Sequence, residues 1–103
     1  MTDRELIELA AKAAGIELRW HGGYLPFTAG HEWNPLTDDG DALRLAVQLD
    51  MALWIGCGGA TAEFPLRGIA CEEEADQHQG DKAAATRRAV VRAAAALAPK
   101  AAA

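Results

Sequence analysis

The side chains best placed to do chemistry in this chain of 103 residues are carboxylates. Asp38, Asp39 and Asp41 form one cluster; Glu72, Glu73, Glu74 and Asp76 form a second. At the start of an expected helix, the first cluster suits capping and the positive end of the helix dipole. The second falls in a polar stretch, residues 72–80, that reads as an exposed loop. Together they offer a negative surface on which a partner's lysines and arginines could dock. Such a surface could also occupy a nucleic-acid channel by placing carboxylates where phosphates would lie.

Other chemistries find less support. The three histidines, His21, His31 and His78, are scattered, and no pair has metal-motif spacing. His31-Glu32 begins like a zinc helix motif, but Trp33-Asn34-Pro35 ends any helix there and no second histidine follows. Cys57 and Cys71 are single thiols and read as small apolar core residues. There is no serine, so no serine nucleophile. Gly22-Gly23 and Gly58-Gly59 lack the ending of a phosphate loop and the three-glycine dinucleotide pattern. Without a nucleophile, base and orienter in view, the expectation is a non-enzyme with no metal and no cofactor.

The net charge of −5 and the pI of about 5.0 argue against direct nucleic-acid binding, which needs a basic surface. The aromatics, Trp20, Tyr24, Phe27, Trp33, Trp54 and Phe64, therefore read as core rather than as base-stacking platforms. No apolar run approaches the ~18 residues of a membrane span. With no visible leader, the thiols are expected to be reduced in a cytosol.

The elements that must position these groups are legible. Thr2-Asp3-Arg4-Glu5 is a capping box that opens a helix over about residues 3–14, and Gly15 stops it. Residues 17–20 and 24–27 alternate around His21-Gly22-Gly23, a hairpin signal in which Pro26 marks an edge strand. Residues 28–32 read as loop. Trp33-Asn34-Pro35 is an anchor and turn before a second helix at about 39–49, whose inner face is expected to carry Leu36, Leu43, Ala46 and Val47, widened by Leu45 and Leu49. Met51 to Cys57, Thr61 to Leu66 and Gly68 to Cys71 read as short strands. Asp81 caps a third helix running to about Leu97, lined by Thr86, Val90, Ala93, Ala94 and Leu97. The order predicts an α+β fold, three helices packed on a small, mainly antiparallel sheet, as one domain over 1–98 with a frayed tail at 99–103.

Three segments carry a resemblance. Residues 5–16, 33–47 and 84–94 are similar to small bacteriophage and prophage accessory proteins of the NinX-like family. That resemblance implies a phage origin and a bacterial host cytoplasm, and it carries over no catalytic residue. The expectation is a non-catalytic accessory protein that binds a host protein with a basic surface, in its sharper form an inhibitor of a defence complex such as an anti-CRISPR protein. The alternative is a small-molecule or nucleotide binder with a pocket between sheet and helices. Apolar surface on the third helix or a sheet edge would let two copies pair as a homodimer.

Overall fold

A computed structural model describes residues 1–99. Helix α1 spans Asp3–Ala13, and its Thr2–Glu5 capping box is formed in both directions. A three-stranded sheet follows: β1 Arg19–His21, β2 Leu25–Thr28 and β3 His31–Glu32, in the order β1-β2-β3, all antiparallel. Helix α2 is Asp39–Gln48. A second antiparallel meander contains β4 Ala52–Gly56, β5 Gly59–Phe64 and β6 Ile69–Glu74, in the order β4-β5-β6. Short 3-10 turns lie at Pro65–Arg67 and Ala75–His78, and α3, Lys82–Leu97, closes the fold. The fold is α+β, with its strands divided between two small sheets.

The long helix α3 is the hub. It buries Ala85, Ala89, Val90, Val91, Ala93, Ala94 and Ala95, and packs against α1, α2, β5 and β6. Alanines dominate this surface, and α1 answers with Ala10 and Ala11 beside Leu6 and Ile7, small residues in the alanines that let the two helices pack closely. Burial of that apolar surface drives the packing. Three arginines of α3 then tie it to three elements. Arg88 bonds Asp3 of α1 at 2.9 Å, and Arg87 bonds Asp39 of α2 at 2.6 Å and the Leu36 carbonyl at 2.8 Å. Arg92 bonds Glu73 of β6.

Trp33 is the core plug its sequence context suggests, 5% exposed. The turn that follows it is held from α2: the Asn34 N–H donates to Asp41 Oδ2 at 2.9 Å, and Asn34 Oδ1 accepts from the Leu36 N–H at 3.0 Å. Asp38 caps α2 by accepting from the Asp41 N–H at 2.8 Å, an interaction of ~1 kcal/mol.

Several details differ from the sequence reading. Pro26 lies in the central strand of its sheet, not at an edge. It is tolerated because a residue in an antiparallel ladder turns its N–H and C=O to the same side. The Pro26 carbonyl accepts from the Trp33 N–H just beyond β3, so the missing donor falls where that short strand ends. His31-Glu32 forms β3 rather than loop. Residues 72–78 are the end of β6 and a 3-10 turn rather than a loop; Glu72, Glu74, Asp76 and Gln77 are exposed there and Glu73 is buried. Finally, α2 buries Asp41, Ala42, Leu45 and Ala46, leaving Leu43 and Val47 exposed. Drawing Asp41 inward to the Asn34 N–H turns the helix so that Leu43 and Val47, one turn apart, face out. Of the expected tail, residues 100–103 lie outside the described residues.

Candidate functional site

The structure divides the two carboxylate clusters between groups engaged in the fold, Asp38, Asp39, Asp41 and Glu73, and groups left on the surface. Asp41 is buried, accepting from the Asn34 N–H and from Arg44 Nη2 at 2.8 Å. Asp38 is occupied as the helix cap, and Asp39, though exposed, pairs with Arg87. In the second cluster Glu73 is buried beneath α3, where Arg92 and His78 hold it, the latter at 2.8 Å through Nε2. Strand alternation explains the split: Glu73 pairs in register with buried Ala60, so it faces the core, while Glu72 and Glu74 face the other way. Burial raises the carboxyl pKa of Glu73, but the bonds from His78 and Arg92 outweigh it and hold the group below the usual glutamate range. Glu72, Glu74 and Asp76 are exposed.

The thiols lie in different settings. Cys57 is exposed in the turn between β4 and β5, whereas Cys71 is half-buried on the core face of β6, in register with Ala62. Burial pushes the Cys71 thiol up and so disfavours the thiolate, although the nearby Arg92 charge pulls the other way. His21 stacks flat on Phe27 at 3.9 Å between ring centroids. Among the described residues, no group of three His, Cys, Asp or Glu side chains could hold a metal ion.

The sequence reading offers a pocket between sheet and helices only in its alternative and names none of its residues; the structure places an apolar groove there. It has a volume of about 360 Å³ and lies between α2, α3 and β4. Ala42 and Leu43 form one wall, Leu53 and Ile55 another, and Ala83 and Val90 the third. Asp39, Lys82, Thr86 and Arg87 also line it, but the surface it presents is almost wholly carbon. The groove follows from local structure. Asp50, at φ 55°, ends α2 in the left-handed conformation and sends the chain into β4. Strand β4 then carries Leu53 and Ile55 back beside Leu43, while α3 packs over β5 and β6. Leu43 and Ile55 are each 60% exposed and Trp54 66%. The signal in the sequence was the run Leu53-Trp54-Ile55: three large apolar residues in an alternating strand cannot all face one core.

The groove borders an open sheet edge. Strand β4 pairs only with β5, and among the described residues no backbone hydrogen bond reaches its other side. Fold and site together define a small α+β protein with an apolar groove beside an open strand edge. Comparison with protein-family models, with curated proteins and with solved structures gave no match. No helix among the described residues is long and apolar enough to cross a membrane.

Proposed function

We propose that this chain is a non-catalytic binding protein whose partner is another protein, docked in the groove between α2, α3 and β4. The observation that carries this reading is the exposure of Leu43 and Ile55, which both line that groove. Contiguous exposed apolar surface in a folded protein marks an interaction site more often than scattered apolar residues do. A nucleotide pocket needs convergent polar groups to fix its ligand, and the carbon lining of this groove supplies few. The outer carboxylates Glu72, Glu74 and Asp76 favour a partner with a basic surface, as steering charges rather than as the anchor. The likeness to small phage accessory proteins supplies the setting of the proposal: a host protein in a bacterial cytoplasm, in its sharper form a defence complex.

The test is capture from a lysate of the source cells by tagged wild-type protein, Ile55→Lys, and a Glu72→Lys/Glu74→Lys pair. The proposal expects one stoichiometric protein with the wild type, none with Ile55→Lys, and salt-sensitive, weakened capture with the charge reversals. Capture unaffected by Ile55→Lys contradicts the groove, and a thermal shift with nucleotides alone would favour the small-molecule alternative.

A further inference from the structure

We propose that the occupant of this groove is an extended segment of the partner, added to β4 as a fourth strand, with apolar side chains alternating with lysine or arginine. The inference rests on the docking reading above and names the chemistry of its partner.

Three observations converge on it. First, β4 is an unprotected edge. Every second residue of an antiparallel edge strand turns its N–H and C=O away from its neighbour. Proteins ordinarily blunt such edges with proline, lysine, a bulge or a covering element. Strand β4, Ala-Leu-Trp-Ile-Gly, carries no proline or lysine, and its five residues pair with β5 without a bulge. At the opposite edge, Arg92 donates to the Glu72 carbonyl and to Glu73, and α3 lies across β6.

Second, the two faces beside that edge differ. Leu53 and Ile55 share the groove face with Ala60 and Ala62. Ala52, Trp54 and Gly56 look out from the other face. A strand laid along β4 therefore meets carbon on one side and an open surface on the other, and its side chains must alternate to match.

Third, the open face has one sign of charge. Register places Trp54 beside Thr61 and Glu72, Ala52 beside Glu63 and Ala70, and Gly56 beside Gly59 and Glu74. Three carboxylates and a tryptophan stand there, and no strand residue of that face is a lysine or an arginine. Glu63 accepts from Trp54 Nε1 at 3.0 Å, which holds the indole over the sheet. A cationic side chain on the added strand would meet the Trp54 ring and lie within reach of these carboxylates. A second copy of this chain fits less well, since β4 holds no cation and each copy brings net charge −5 to the join. A helix could fill the groove but would leave the β4 backbone unpaired.

The experiment is an NMR titration of the isotope-labelled full chain with a nine-residue peptide alternating valine and lysine. Three comparison peptides accompany it: valine alternating with glutamate, the first peptide N-methylated on either alternate set of residues, and an amphipathic leucine-lysine helix. We expect saturable binding that shifts and protects the amides of Leu53 to Ile55. Affinity should fall about tenfold on Trp54→Ala, the scale of one desolvated cation–π contact. The glutamate peptide should bind more weakly still, and only one of the two N-methylated sets should lose binding. No shift at β4, equal affinity for the glutamate peptide, or equal tolerance of both N-methylated sets would overturn the proposal. If the helical peptide fills the groove without moving the β4 amides, the added strand is wrong and the docking reading stands. If, in addition, Ile55→Lys still captures the partner, both fall. A concentration-dependent dimer that Ile55→Lys dissociates would replace the peptide by a second copy.

Discussion

Strands β4 and β6 flank the same central strand, β5, yet α3 lies across β6 and leaves β4 bare. On the covered side a carboxylate, Glu73, is buried and held by an arginine and a histidine. On the bare side Trp54 and Ile55 stand in solvent, with no covering element among the described residues. Polar chemistry is thus used to close the sheet, and apolar surface is left where it is open, the reverse of what stability alone would select. The difference teaches that the charged residues mainly serve the fold and that the apolar ones at β4 need another explanation.

The comparison can be broken first at the covered edge. Gly59 opens β5 at φ 156°, and a Cβ there would run into the Glu73 carbonyl and lie 3.0 Å from Glu74 Cα. Gly59→Ala must force β5 and β6 apart, and denaturant unfolding should show a loss of about 3 kcal/mol. Arg92→Ala comes next. It leaves Glu73 buried with one partner fewer, a change that costs about 3–5 kcal/mol for a fully buried pair. The Arg92 side chain is 40% exposed, so solvent screening reduces the expected loss to about 2 kcal/mol.

Acidification probes the same contact. The carboxyl of Glu73 is held below its ordinary value in the folded protein, so its contribution is fully present above that value and is lost as pH falls through the lower, folded one. Stability measured from neutral pH downward should decline in the acidic range, and Glu73→Gln should flatten that part of the curve. The smallest effect on stability belongs to the open edge. Ile55→Lys alters an exposed site and should change unfolding free energy by no more than about 0.5 kcal/mol, while abolishing partner capture. A loss as large as that of Arg92→Ala would mean that β4 is part of the core and erase the contrast.

Local chemistry made much of this fold legible. The Thr2–Glu5 box, the glycine stop at Gly15, the Trp33-Asn34-Pro35 turn and the Asp81 cap each act within a few residues, and each fixes an element end. Tertiary choices were less legible. Nothing in the spacing of Leu43 and Val47 reveals that Asp41 would claim the inward stripe of α2 for a bond to Asn34. Likewise, Glu72, Glu73 and Glu74 read as one acidic run, and only membership of a strand beneath α3 separates the buried carboxylate from its exposed neighbours. The position and lining of the groove were illegible for the same reason: they depend on which strand α3 leaves uncovered.

The most direct test of the open edge is site-specific photocrosslinking in the source cells. A photoreactive residue placed at Ile55 is compared with one at Leu66, which is fully exposed in the 3-10 turn after β5. The account predicts one strong crosslinked species from position 55 and none from position 66. Equal crosslinking at the two positions, or none at position 55, would contradict it.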